Sequence, residues 1–256
     1  MSGRFAGRRA VVTGASRGIG AAVAEQLAAD GADVAIVART AEHHDRLPGS
    51  LSETAEKMRA HGGTVAAIVA DLADPIDRAR IIPEAQAGLG GPVEILVNNA
   101  AAAIYQPLVD FPSKRQRVLF EVNVFANMDL MQAVIPAMRA AGEGWIVNLT
   151  SESARMSYEP DTATLAVYGG SKAALNQLTR GLGAELLGTG VRVNAVAPRA
   201  AVMTEGASNL VELKQEHLEP MEAMVSGVLG LCDAAPDVTG RVHISLDVVD
   251  GILTGV

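Results

Sequence analysis

The sequence predicts an α/β fold: a doubly wound sheet of seven mainly parallel strands with helices on both faces. Short β-branched runs alternate with longer Ala- and Leu-rich stretches of helical period along the whole chain. Most of these runs are uniformly apolar, as expected for strands buried on both faces. Hydrophobic residues make up 49% of the 256, enough to fill a large core.

The first strand is expected over residues 10–13, with Arg8-Arg9 as solvated charges at its entrance. A glycine-rich loop leads into a helix over 18–30, stopped near Gly31. A strand at 34–38, a helix at 51–61 and a strand at 65–69 follow. Asp74 then Pro75 is an N-cap followed by the N1 proline that helix starts favour, opening a helix over 75–89. A strand at 95–98 and a long helix over 116–140, ended by Gly142, precede a strand at 145–149. The remainder reads as helix 167–187, strand 191–196, helix 220–232 and strand 242–246. No linker or repeat interrupts the alternation, so residues 1–256 are expected to be one domain. Two segments break the rhythm, 151–166 and the lid candidate 199–219. Both begin at carboxyl ends of strands, where open α/β sheets bind ligands.

Bulk properties narrow the function classes. A formal net charge of −8 argues against a nucleic-acid surface. No uninterrupted apolar stretch approaches the roughly 20 residues of a bilayer span, and residues 1–7 carry no apolar signal core. No membrane association is therefore expected, and cytoplasmic residence is the default. Cys232, the only cysteine, is expected to be a core thiol, which excludes an internal disulfide. His43, His44, His61, His217 and His243 show no convergent ligand spacing, so no metal is expected.

The residues Thr13-Gly14-Ala15-Ser16-Arg17-Gly18-Ile19-Gly20 lie between the first strand and the first helix, where a dinucleotide loop belongs. Glycines permit a tight turn and close approach of backbone to a pyrophosphate. The helix N-terminus offers unpaired N–H groups and a favourable dipole. The spacing is G-x-x-x-G-x-G.

With Asn98-Asn99-Ala100-Ala101 after the fourth strand and Tyr168-Gly169-Gly170-Ser171-Lys172 opening a later helix, this loop resembles the short-chain dehydrogenase/reductase family of the shorter classical type. The resemblance covers essentially the whole chain. It implies a Rossmann-type domain and a nicotinamide coenzyme held by Gly14, Ser16, Arg17, Gly18, Ile19 and Gly20. Asp71-Leu72 is similar to the family's adenine-contacting pair, though Asp71 also reads as a turn residue before the Asp74 cap. Asn98 and Ala100 match the family's N-N-A-G, with Ala101 in place of the glycine. For the asparagines, tying strands together and contacting ligand are equally open. The second strand ends in Arg39 with no acidic residue for a ribose 2′-hydroxyl. Arg39 and Arg17 suit a 2′-phosphate, each bond contributing roughly 1.5 to 3 kcal/mol, so NADP(H) is expected over NAD(H).

Spacing i, i+4 puts the Tyr168 phenol and the Lys172 ammonium on one helical face. Lowering a phenol by about 3 pKa units takes roughly 4 kcal/mol, and a positive charge about 4 Å away supplies a similar amount at an effective dielectric near 20. The resemblance makes Tyr168 the general acid/base and Ser151 the hydrogen-bond partner of the substrate oxygen. Asn123 would hold a proton-relay water near Lys172. Tyr168 and Lys172 would also touch the coenzyme. Tyr158, followed by Thr162 four residues on, is a decoy. Met156, Tyr158, Glu159 and Asp161 read equally as pocket mouth or surface turn. Asn194-Ala195-Val196-Ala197-Pro198 resembles the family's approach to the nicotinamide loop, but Arg199 replaces glycine and Thr204 lies one residue late. Ser245-Leu246-Asp247 stands where D-G-G is typical.

The expected function is hydride transfer between NADP(H) and a small-molecule carbonyl or secondary alcohol. The expected assembly is a homotetramer through helices 116–140 and 167–187. A non-catalytic NADP(H)-binding sensor or scaffold is the alternative. An epimerase or dehydratase of the extended relatives would need a larger C-terminal domain and another glycine spacing.

Overall fold

The computed structural model describes residues 3–42, 48–155, 160–202 and 218–256. Strands β1 (Arg9–Thr13), β2 (Asp33–Ala38), β3 (Val65–Val69), β4 (Ile95–Asn98), β5 (Gly144–Leu149), β6 (Val191–Ala197) and β9 (Val242–Ile244) form one sheet. Its order is β3-β2-β1-β4-β5-β6-β9, with every neighbouring pair parallel. The chain winds outward from β1 in one direction and from β4 in the other. The crevice between them is the switch point where such sheets take ligands. A separate parallel pair, β7 (Ala201–Val202) with β8 (Leu218–Glu219), lies in the segment expected as a lid. No apolar period marked it.

Successive strand residues point to opposite faces, and the two cores divide accordingly. Val12, Ile36, Val97, Val147 and Val196 pack with α1 (Gly18–Ala29) and α7 (Met221–Leu231). Val11, Ala35, Leu96, Ile146 and Val193 pack with α3 (Pro75–Leu89) and α5 (Ala126–Ala141). Helix α2 (Leu51–Arg59) is capped by the Ser50 hydroxyl, which accepts from Glu53 N. Asp74 caps α3 in the same way, with proline at its start.

Some sequence expectations change. The helix expected over 116–140 is α4 (Ser113–Phe120), a π-helical turn (Glu121–Phe125) and α5 in one rod. By length and hydropathy this rod, Ser113–Ala141, is apolar enough to cross a bilayer, which inspection of uninterrupted runs missed. Here Ala126, Leu130, Met131, Val134 and Met138 bury one side of it in the core. The last strand stops at Ile244, and Ser245–Val249 coils into α8, anchored by a hydrogen bond from the Ser245 hydroxyl to Glu219. Arg8 is paired rather than freely solvated: it meets Glu94 at 2.9 Å and Glu143 at 2.6 Å, and lies 4.8 Å from the Trp145 ring centroid. Arg9 pairs with Glu94 as well. His43, His44, His217, Met156, Tyr158, Glu159 and Thr204 lie outside the described residues.

Candidate active site

The segments expected to bind coenzyme leave the carboxyl ends of β1, β2, β3, β4 and β6, and parallel pairing brings those ends to one edge of the sheet. Gly14 continues β1 in a left-handed conformation, φ +67°, with its N–H donating to Val37 O at 2.7 Å. A methyl group there would sit 2.8 Å from Ala100 Cα. At Gly20 it would collide with Asn99 Nδ2 and lie 2.5 Å from Gly14 O. Close packing of loop, helix and β4 therefore fixes both glycines.

Helix α1 begins at Gly18 with no side-chain cap and no acidic residue in its first turn. The first-turn N–H groups of a helix lack intrahelical partners, so this end is open to an anion. Arg17 adds charge. Its Nη2 donates to Gly49 O at 3.2 Å, while Nη1 is buried with no partner among the described residues. Arg39 is exposed at the end of β2. Ser16 is part-buried in the loop, and Ile19 leans on the first core cluster.

Several expected contacts are committed within the protein. The Asn98 side chain is buried and donates to Asn148 Oδ1 at 2.9 Å. This bond ties β4 to β5, while Asn98 Oδ1 is buried with no partner among the described residues. The Ala100 N–H donates to Thr13 Oγ1 at 3.1 Å. Asp71 Oδ1 accepts from Ala73 N at 2.9 Å, as a turn residue does, and Leu72 is buried in the second core. Pro198 follows β6, part-buried. Asn99 straps the loop: its Nδ2 donates to Thr13 O at 2.8 Å and Gly14 O at 3.1 Å.

The chemistry-bearing residues converge at β5 and α6 (Ala166–Glu185). Tyr168 and Lys172 stand one turn apart on α6. Ser151 follows β5, and its side chain stands near enough to the Tyr168 phenol to favour the phenolate. Ser151 also caps the 3-10 turn Glu152–Ala154, accepting from Ser153 N at 3.2 Å and Ser153 Oγ at 2.9 Å, so cap and site coincide. The Tyr105 ring meets Tyr168 edge-on, centroids 5.5 Å apart. Tyr105 sits in a segment without regular structure, and no spacing in the sequence marks it.

Burial pushes the Tyr168 phenol up, Tyr105 adds to this, and the Ser151 hydrogen bond pulls the other way. Burial lowers Lys172 to about 8. Neither shift has the other residue as a cause. Lys172 Nζ instead donates to Leu149 O at 2.8 Å. Burial is the largest cause of the phenol's shift, and the phenol is protonated at neutral pH. Asn123 lies in the π-helical turn, the kind of interruption that often marks functional sites. Its Oδ1 accepts from Ala102 N at 2.8 Å, and its Nδ2 donates to Ala102 O at 2.9 Å and Ser171 Oγ at 3.0 Å. The side chain is thus spent on holding α4, α6 and the β4 loop together. Its carbonyl accepts from Asn127 Nδ2 at 2.7 Å.

The short chain dehydrogenase family matches residues 8–215. The chain is 34% identical to a tropinone reductase homologue of Arabidopsis thaliana over 222 residues, 87% of this chain and 78% of that protein. It is 35% identical to hydroxysteroid dehydrogenase-like protein 2 of Mus musculus over 209 residues, 79% of this chain but 41% of the relative, so it spans less than half of that longer protein. A metagenomic short-chain oxidoreductase solved in complex with NADP superposes with a TM-score of 0.76 at 30% identity, covering 94% of this chain and 96% of the other. The seven-stranded parallel sheet agrees with these matches, and the chain belongs to the classical short-chain dehydrogenase/reductase family of oxidoreductases.

Proposed function

We propose that the protein is an NADP(H)-dependent oxidoreductase acting on a carbonyl or secondary alcohol, with Tyr168 as general acid/base. The observation that carries this reading is the grouping of Tyr168 and buried Lys172 on α6 with Ser151 at the end of β5, on the same sheet edge as the uncapped start of α1. The residues suit a dinucleotide. Gly14 and Gly18 take left-handed conformations that let the loop turn tightly into α1, and Arg17 brings a guanidinium nitrogen without a partner among the described residues. Exposed Arg39 suits the 2′-phosphate that distinguishes NADP from NAD. The NADP complex of the metagenomic relative supports the same coenzyme class.

When bound, the reduced nicotinamide supplies the hydride that adds to the carbonyl carbon. Tyr168 gives its phenolic proton to the carbonyl oxygen, and Ser151 orients that oxygen by hydrogen bonding. Lys172, one turn along α6, holds an ammonium at neutral pH that favours the phenolate as it forms. Asn123 positions α6 through Ser171. Turnover, rather than coenzyme sensing, is the function this group supports. Exposed Val118 and Phe125 on the α4–α5 rod support assembly as a homo-oligomer, for which a monomer in sedimentation is the contrary result.

The test is NADPH absorbance with a panel of ketones, aldehydes, quinones and 3-oxoacyl thioesters, comparing wild type with Tyr168→Phe. Tyrosine-dependent NADPH oxidation with any of them is expected. Silence across the panel, and in the oxidative direction with NADP and alcohols, despite NADPH binding, would favour a sensor.

A further inference from the structure

The two places where the chain departs from the family's pattern at its C-terminal end touch each other. Arg199, after β6, pairs its guanidinium with Asp247 of α8. Between them lies Glu219 in β8, 4% exposed. One of its carboxylate oxygens accepts from Arg199 N at 2.7 Å and the other from the Ser245 hydroxyl. β8 in turn pairs with β7, Val202 opposite Glu219. A buried carboxylate is costly unless its oxygens are hydrogen-bonded, and among the described residues each oxygen has a donor. Those donors join the loop after β6 to the start of α8. The Arg199–Asp247 pair is half-exposed and adds little by itself, so Glu219 carries the junction.

We propose that Arg199, Glu219, Ser245 and Asp247 form a latch that positions the start of the post-β6 loop, at Pro198 and Arg199, against the nicotinamide half of the coenzyme. The latch rests on the coenzyme reading above. Glu219 is a positioning residue: it acts through the Arg199 backbone. The adenosine half of the coenzyme, expected between Arg17, Arg39 and Asp71 at the other side of the crevice, is out of the latch's reach. Its affinity is independent of Glu219.

That separation sets the experiment. Dissociation constants for NADPH and for 2′,5′-ADP, which lacks the nicotinamide half, are measured for wild type, Glu219→Ala, Glu219→Gln and Ser245→Ala. The expected result is about tenfold weaker NADPH binding in Glu219→Ala, with 2′,5′-ADP unchanged. Glu219→Gln should recover most of the loss, since its carbonyl accepts from Arg199 N and its amide donates to Ser245 Oγ. Ser245→Ala should show a smaller shift in the same sense, and it carries the comparison if Glu219→Ala does not fold. Variants that weaken both ligands equally, or neither, overturn the latch while leaving the coenzyme reading intact. Wild type binding neither ligand overturns the coenzyme reading and the latch with it.

Discussion

Replacing Lys172 with methionine should make the protein more stable and less active. Lys172 is 2% exposed, and its ammonium has a single acceptor, Leu149 O at 2.8 Å. Burial lowers it from 10.5 to about 8. At about 1.4 kcal/mol per pH unit, the folded state disfavours the charged lysine by about 3 kcal/mol. Methionine keeps most of the methylene packing, removes the charge, and gives up about 1 kcal/mol of hydrogen bonding. The net gain is about 2 kcal/mol at neutral pH. For a chain of this size that raises Tm by about 6 °C. The sign with pH follows from proton binding. Between about pH 8 and 10.5 the folded lysine holds fewer protons than the unfolded one, so wild-type stability rises across that window and the variant's advantage shrinks. Denaturant unfolding near neutrality and near about pH 10, with NADPH turnover alongside, measures both effects. A variant less stable than wild type at neutral pH, or an advantage that does not change with pH, would refute the reasoning. The same group makes wild-type turnover fall as pH rises through about 8, when the ammonium is lost.

Other outcomes follow from single contacts. Tyr168→Phe should abolish turnover while NADPH affinity in fluorescence titration stays near wild type; retained turnover would remove Tyr168 from the reaction. Arg39→Asp should weaken NADPH by about tenfold to a hundredfold without weakening NADH, and equal effects on both coenzymes would end the 2′-phosphate assignment. Gly20→Ala, whose added methyl meets Asn99 and Gly14 O, should weaken NADPH binding and lower Tm together; unchanged affinity would show that the loop can shift freely. His243 is buried in β9, with neither ring nitrogen partnered among the described residues, and burial lowers it to about 4. The folded state therefore binds fewer protons than the unfolded one between about 4 and 6.5. About 3 kcal/mol of stability, fully present above that window, should be lost as pH falls through it. His243→Leu should remove this slope in unfolding curves, and an unchanged slope would place the acid sensitivity elsewhere.

Much of the architecture is legible in the sequence, because buried parallel strands must be apolar throughout and the helices covering them must carry an apolar stripe. The glycine loop could be located from its place between β1 and α1, and Tyr168, Lys172 and Ser151 from their order along the chain. Coarse position was therefore set by local pattern. What each side chain does was not. Asn98 looks the same in sequence whatever it bonds, and only strand pairing brings its amide within 2.9 Å of Asn148. Asn123 reads as a mid-helix asparagine. The π-helical turn and its bonds to Ala102 and Ser171 appear only when three segments meet. Lys172 was expected to lower the phenol by Coulomb attraction, but burial of both groups, a property of the assembled core, decides the sign of each shift.

The sequence by itself determined the fold class, the sheet edge where the glycine loop and the Tyr168 segment lie, and the residue types available there, since these depend on period, breakers and spacing within a few tens of residues. Tertiary structure alone decided Arg8 on Trp145, Tyr105 against Tyr168, and Glu219 joining Arg199 to Ser245. These partners are far apart in the chain or lie in irregular segments. Their contact depends on how strands stack and where loops return, and no local sequence pattern records it.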